Sequence, residues 1–309
     1  MPFTAQDVKT LREMTECGML DCKKALMETD GDMEKAVEFL REKGLASVAK
    51  KSGRIAAEGI VLAFSDEAKK VSVAIEVNSE TDFVSKNEDF RSFVKLAGQA
   101  VIDNNPADVD ALLACVVDGR TVNEHLQDRQ LKIRENLKVR RFVRYEGDVA
   151  TYVHGGGTIG VMVKFATDVA DKEGFAEFGK DVAMQIAAAN PAYLCEHCVP
   201  AEVIEHEKEI LFAQISNNPK LANKPDAVKE KMVEGRIGKY YKENCLMNQE
   251  FVKDPDLDIK GYIEKTAKEL GGSIKVTEFV RLEKGEGIEK KQENFADEVM
   301  EQVNKMTNK

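Results

Sequence analysis

"EGIVLAF" at 58–64 and "EGDVATY" at 146–152 stand 88 residues apart, and the segments that follow them match at the same offset. Val71, Val73, Ile75 and Val77 fall on Ile159, Val161, Val163 and Phe165. Phe90, Val94, Leu96 and Ala100 fall on Phe178, Val182, Met184 and Ala188. Alternating apolar residues in the first set predict a strand, and helical spacing in the second predicts a helix. Each copy therefore reads strand, turn, strand, loop, helix. Two such units predict an α+β core built by duplication.

The comparison also isolates what one copy has and the other lacks. In "VNSETDFVSK" at 77–86 the connection carries Thr81, Asp82, Phe83 and Val84, whereas the matching loop is "VADK" at 169–172. Both loops join the same strand to the same helix, so the fold alone does not demand an acid beside a ring. A ring buried in its own core is the ordinary account of Phe83, and a helix-start acid that of Asp82. Ser85 with Glu88 forms the better capping box, which leaves Asp82 spare. The second loop is expected to be dispensable, with Asp171 and Lys172 as solvated charges.

Composition limits the partners. The 309 residues can hold two or three domains, each with a core. A net charge of −10 argues against broad contact with a phosphate backbone, which needs a basic footprint. No direct nucleic-acid contact is expected. The N-terminal "MPFTAQDVKT" lacks an apolar signal segment, and no stretch reaches the ~18 apolar residues of a membrane span. A soluble, unexported, cytosolic chain is the expectation, with no membrane contact. Six cysteines in 309 residues are too sparse for a disulfide scaffold, so reduced thiols are expected.

Residues 4–45 predict three short helices. Thr4 with Asp7 resembles a capping box, followed by Val8, Leu11 and Met14 on one face. A "CGML" corner leads into "DCKKALMET", and "DGD" at 30–32 introduces a helix bearing Met33, Ala36, Val37 and Leu40, with Gly44 as its stop. "KKSGR" at 50–54 reads as an exposed basic linker. Between 201 and 243 two helical segments flank "SNNPKLANKP", the tip of an antiparallel hairpin. "IKVTEFVRLE" predicts a late strand, and Phe295, Val299 and Val303 mark a last amphipathic helix.

Several motifs invite a chemical reading and fail it. "GGGTIG" at 155–160 satisfies G-x-G-x-x-G, but the alternating strand "VMVKFA" follows where a dinucleotide site needs a helix. It is a hairpin turn. "GFAEFGKD" at 174–181 approaches a phosphate loop, yet Asp181 stands where a hydroxyl should meet Mg²⁺. "CEHC" at 195–198 has the cysteine spacing of half a zinc site without a second pair. The four histidines stand beside no nucleophile–carboxylate set, and Cys22 belongs to a bundle helix whose packing favours burial. No catalytic residue, cofactor or metal ligand is assigned.

The chain resembles the bacterial elongation factor Ts family over nearly its whole length. The resemblance rests on "TECGMLDCKKAL" (15–26), "EVNSETDFVSK" (76–86), "LKVRR" (137–141), "HGGGTIGVMV" (154–163), "EKMVEGR" (230–236) and "VRLEKGEGIEK" (280–290). It implies a ubiquitin-associated-like three-helix bundle at 1–53 and two related core subdomains at 54–145 and 146–289. The helical hairpin at 201–243 is inserted in the second, and a C-terminal helix occupies 290–309. It implies guanine-nucleotide exchange on the GTPase elongation factor Tu (EF-Tu), by binding rather than enzymatic catalysis. Thr81, Asp82, Phe83 and Val84 are implied to intrude near the partner's Mg²⁺. The bundle corner, with Arg12, Met19, Leu20 and Lys23, is expected to hold the partner, and His154 to be a further contact. The hairpin serves self-association in some members, so a homodimer through it is an expectation. A ubiquitin-associated-type scaffold without exchange activity is the alternative; a thiol or zinc enzyme using Cys195 and Cys198 is a third reading.

Overall fold

A computed structural model describes residues 3–15, 17, 19–51 and 53–289, with backbone alone for 45–51. The helix expected at 290–309 lies outside the described residues. The chain is α+β. It opens with α1 (Ala5–Thr15), α2 (Met19–Glu28) and α3 (Met33–Lys51), which enclose Val8, Leu11, Cys22, Ala25, Leu26, Ala36 and Leu40. The capping box forms as read: Asp7 Oδ2 accepts from the Thr4 amide at 2.6 Å, and the Asp7 amide donates to Thr4 Oγ1 at 3.3 Å.

Gly44 is not a stop, because α3 continues to Lys51. Its function is close approach. A Cβ built there would meet Leu131 Cδ2 at 2.3 Å, so the missing side chain lets α3 lie against the later helix that carries Leu131. The linker stretch is likewise more engaged than expected. Lys51 is helical, and Arg54 pairs with Glu80 at 3.3 Å.

The first repeat unit is β1 (Glu58–Asp66), β2 (Val71–Ser79) and α4 (Glu88–Asn104). There follow α5 (Val109–Ala114), the short pair β3 (Val116–Val117) and β4 (Arg120–Thr121), α6 (Val122–Ile133) and β5 (Lys138–Glu146). The second unit is β6 (Asp148–His154), β7 (Ile159–Thr167) and α7 (Phe175–Ala189). The hairpin is α8 (Ala201–Asn217) and α9 (Asp226–Asn244), closed on its own core of Leu211, Ile215, Val233 and Ile237. The described chain ends with the pair β8 (Glu250–Phe251) and β9 (Asp254–Asp258), then α10 (Ile259–Leu270) and β10 (Ile274–Glu283).

Two three-stranded antiparallel sheets form, ordered β1-β2-β5 and β10-β7-β6. Each places the repeat's second strand at its centre. The outer face of each sheet packs on a helix: Ile60, Val73, Ile75 and Val77 against Phe90, Phe93 and Val94 of α4, and Val161, Val163 and Phe165 against Phe178 and Val182 of α7. The inner faces meet each other through Val61, Ala63, Ala74, Met162 and Leu282. With helix, sheet, sheet and helix in layers, β2 has no solvent side, and all nine of its residues are buried. That burial includes Glu76, which Arg140 reaches at 3.0 Å and Arg141 at 2.6 Å.

The glycine run is a four-residue turn between β6 and β7. Gly155, Gly156 and Gly157 have φ of 58°, 68° and 118°, a left-handed sequence that side chains resist. Gly157 also lies against the other sheet, where its carbonyl accepts from the Val61 amide at 2.8 Å and a Cβ would meet Ile60 Cβ at 2.9 Å. "GFAEFGKD" is the start of α7. Its Asp181 is nearly buried, paired with Lys253 at 2.6 Å, and accepts from Tyr262 Oη at 3.3 Å. Burial and that neighbouring acid push the Tyr262 phenol up to about 12.

Candidate functional site

The four loop residues divide into an exposed pair and its supports. Residues Asp82–Lys86 form one short 3₁₀ turn between β2 and α4. Within it Val84 is 5% exposed and belongs to the core under α4, while Phe83 is 82% exposed. Val84 therefore fastens the turn from below, and its neighbour is turned outward. Asp82 is exposed too, and among the described residues its carboxylate meets no donor. The expected Ser85–Glu88 capping box does not form. Asn87 caps α4, its side chain accepting from the Phe90 amide at 3.0 Å, and Ser85 Oγ donates back to the Asp82 carbonyl at 2.5 Å.

An exposed aromatic on a short turn keeps one direction only if the backbone is held. Glu135, just after α6, does this. Its carboxylate accepts from the amides of Glu80 and Thr81 at 3.0 Å each, and from Thr81 Oγ1 at 2.6 Å. Bonds to an ionised acceptor are roughly twice as strong as neutral ones. Ser79 Oγ adds a bond to the Thr81 carbonyl at 2.8 Å, and the Asn136 amide donates to Glu80 Oε1 at 2.6 Å. Asn136 Nδ2 also holds the Arg54 carbonyl at 2.8 Å. The entry to the loop is therefore clamped from the α6–β5 connector.

The same connector receives the bundle. Arg134 faces Asp21 of α2 at 3.7 Å, and Arg41 of α3 donates to Glu124 of α6 at 2.9 Å. Arg12, Met19, Leu20 and Lys23 are exposed, with Met19 at 56% and Leu20 at 75%. Met19 and Leu20 are large apolar side chains left in water at the start of α2, and Met14 of α1, read from the sequence as a core-facing position, is exposed as well, as is Met27. Cys22 of α2 is buried, and burial raises its thiol above the ordinary value.

His154 comes to the loop from the other sheet. It is exposed at the end of β6, with Tyr152 Oη 3.1 Å from its Nδ1. Arg91 on the first turns of α4 joins the two parts: its Nη1 donates to the Ser85 carbonyl and to the Gly156 carbonyl, both at 3.1 Å. Two carbonyls, one in the Asp82–Lys86 turn and one in the glycine turn after His154, thus share one guanidinium. Arg91 joins the turn that carries Asp82 and Phe83 to the turn that follows His154, and residues 134–136 link the bundle to the loop.

Sequence reasoning did not find Glu135, Asn136, Arg54 or Arg91. For Arg91 a signal was present, since the offset that sets "TDFV" against "VADK" also sets Arg91 against Gly179. Gly179 does different work, leaving room for Ala150, whose Cβ would be 2.8 Å from an added Cβ. The second loop also departs from expectation. Val169 is buried in the core under α7, and Lys172 Nζ donates to the Leu270 carbonyl at 3.1 Å, so only part of "VADK" is solvated.

The cysteines give one further correction. Cys195 and Cys198 are joined as a disulfide, against the expectation that all six thiols are reduced. Cys17, Cys22, Cys115 and Cys245 are free.

The fold and the site together define an α+β protein built on two three-stranded sheets, presenting a ring-tipped loop and an apolar bundle corner that are linked through residues 134–136. The family model described as "Elongation factor TS" matches residues 80–286. An elongation factor Ts of Clostridium perfringens (strain SM101 / Type A) is 53% identical over 96% of this chain and 98% of its own. One from Clostridioides difficile (strain 630) is 50% identical over 97% and 99%, and one from Clostridium kluyveri is 48% identical over the same shares. The chain belongs to the elongation factor Ts family of translation elongation factors.

Proposed function

We propose that this chain binds the GTPase elongation factor Tu in its GDP form, in the cytosol, and promotes GDP release so that GTP can reload. The observation that carries the reading is Phe83: an aromatic ring 82% exposed on a turn whose entry, at the amides of Glu80 and Thr81, is clamped on the carboxylate of Glu135. A ring held in water stores burial free energy for a partner, ~2–3 kcal/mol for a side chain of this size. It acts by binding and changes no covalent bond.

The partner's Mg²⁺ demands near-octahedral oxygen ligation while it bridges protein and phosphate. A wedge entering beside that site spoils the geometry without touching the nucleotide. Phe83 is the wedge. Asp82 supplies a hydrogen-bonding carboxylate that fixes the approach and puts negative charge near the phosphates. Thr81 and Val84 serve as supports, one held by Glu135 and the other by the core.

A thousandfold faster release corresponds to about 4 kcal/mol at ~1.4 per decade. One ring cannot supply that, so other contacts hold the factor in place. We assign this to the bundle as a unit, residues 1–53, through Arg12, Met19, Leu20 and Lys23, with His154 as a contact from the second subdomain. Linkage then requires that GDP weaken binding of the factor by the ratio in which the factor weakens binding of GDP.

The test is release of fluorescent GDP from EF-Tu, followed by stopped flow with and without the protein. Saturating protein should accelerate release by orders of magnitude, and added GDP should loosen the complex. Tight binding with unchanged release would refute the exchange reading and leave a ubiquitin-associated-type scaffold.

A further inference from the structure

The segment "CEHC" at 195–198 is unused by the site above, and its position is unusual. It sits in the connector between α7 and α8, at the root of the helical hairpin. There the outgoing and returning chains are stitched together. The amides of Ala192 and Tyr193 donate to the Asn244 carbonyl, the Leu246 amide to Tyr193, and the Met247 amide to Leu194. Asn248 Nδ2 closes the set on Glu196 Oε1 at 2.6 Å. Beyond that last tie the outgoing chain makes one 3₁₀ turn, Glu196–Cys198, and enters α8 behind Pro200.

We infer that Cys195 and Cys198 form a reversible thiol–disulfide site at the root of the hairpin, with low-molecular-weight thiols and disulfides as its co-reactants. The two Cα atoms are 5.2 Å apart, inside the range a disulfide needs, so the bond closes and opens without moving the backbone far. Cys198 is exposed and Cys195 half-buried, which gives a small disulfide access to the first sulfur and keeps the second in reserve. The closed loop holds only these four residues. Loop-closure entropy is smallest for short loops, so the bond is a poor stability staple. Disulfides that occur in reducing compartments are chiefly transient or redox-sensing. Cys245 beside the stitch is fully buried and does not compete for the same reagents.

The exchange balances with glutathione disulfide as oxidant. The Cys198 thiolate attacks one sulfur, forms a mixed disulfide and expels one glutathione thiolate. The Cys195 thiolate then attacks Sγ of Cys198, forms the protein disulfide and expels the second. Two protein thiols are oxidised, one glutathione disulfide is reduced to two thiols, and the two protons pass to the glutathione sulfurs. In the oxidised form the turn is closed covalently. There the Cys198 amide on the Cys195 carbonyl (2.9 Å) and the Val199 amide on the Glu196 carbonyl (3.2 Å) accompany the bond, and reduction would leave the turn to such hydrogen bonds alone.

The full chain, equilibrated in glutathione buffers of graded reduced-to-oxidised ratio, acid-quenched and labelled with N-ethylmaleimide, tests this by peptide mass. The peptide bearing 195–198 should lose two adducts in a single two-electron transition, and Cys198→Ser should abolish the transition. Amide exchange at Cys198 and Val199 should be slower in the oxidised protein. Two adducts retained at the most oxidising ratio, or glutathione left on Cys198 as the end product, would overturn the site. Identical amide exchange in the two forms would overturn the disulfide as the bond that closes the turn.

Discussion

Phe83 and Val84 are adjacent, yet one side chain is in water and the other in the core, and this opposition gives the site its first test. Phe83→Ala removes a ring that touches little in the free protein. Its thermal stability should change by less than ~0.5 kcal/mol, the usual range for surface positions, while catalysed GDP release slows tenfold or more. A loss of ~3–5 kcal/mol, as for a core phenylalanine, would show that the ring supports the fold instead. Glu135 makes a complementary prediction. Glu135→Ala leaves two amides and a hydroxyl without their acceptor, groups near enough to solvent for water to take them up. Stability should fall by about 1–2 kcal/mol. GDP release should slow several-fold because Phe83 is no longer held in one direction, and the Thr81 amide should exchange faster with solvent. Wild-type release together with wild-type amide exchange would remove Glu135 from the account.

Among the elements, the two strand-to-helix connections are the natural comparison, because β2–α4 and β7–α7 share one plan and differ in content. The second contains Val169, packed into the core, and so cannot be emptied wholesale. Asp171 and Lys172 are exposed, and the bond from Lys172 to the Leu270 carbonyl is a surface one. Replacing these two by alanine should shift stability by no more than ~0.5 kcal/mol and leave GDP release at the wild-type rate. Slowed release with intact stability would mean that the second connection also meets the partner. Adding Val169→Ala should lower stability by a further ~1–2 kcal/mol, since two buried methyl groups are lost. The contrast follows from burial. Val169, with Ala170 packed against the same core, belongs to the helix–sheet layer, and Asp171 and Lys172 lie outside it.

At the scale of the molecule, Glu76 fastens the layers. It projects from the central strand of the first sheet into the interface between sheets, where Arg140, Arg141 and Asn78 donate to it. The Gly285 amide, just past β10 of the second sheet, donates to it as well, at 2.8 Å. Burial by itself would raise this carboxyl. The Gly285 amide, Asn78 and the two arginines outweigh burial, and its pKa lies below the ordinary value. A carboxylate whose pKa is depressed by folding contributes stability above its unfolded pKa, near 4.3, and loses it as pH falls through the folded pKa. Glu76→Gln should therefore cost about 3 kcal/mol at pH 7, as for a broken buried pair. The deficit should shrink as pH falls below about 4, measured by urea unfolding across pH 3–7. A deficit independent of pH would mean that packing, and not the charge, makes Glu76 matter.

The sequence by itself determined the repeat, its α+β character, the bundle, the hairpin and the peculiarity of "TDFV". These are written as periodicity and self-similarity, and local sterics with solvent partition convert them into elements. Local readings failed where tertiary contact overrode them, those of Gly44 and Ser85 among them. Gly44 looked like a helix stop until Leu131 was seen to fill the space its side chain would need, and Ser85 lost the cap to Asn87 once Val84 was drawn into the core. The third strand of each unit also repeats, "FVRYE" at 142–146 and "FVRLE" at 279–283, but the inserted hairpin changes the offset and hides it from a gapless shift. Only the tertiary structure decided which groups hold the site. Glu135 lies 54 residues from Thr81 and Arg91 lies 65 from Gly156. No periodicity connects positions that meet through folding, and a carboxylate or guanidinium shows what it serves only when the amides or carbonyls it satisfies have been brought to it.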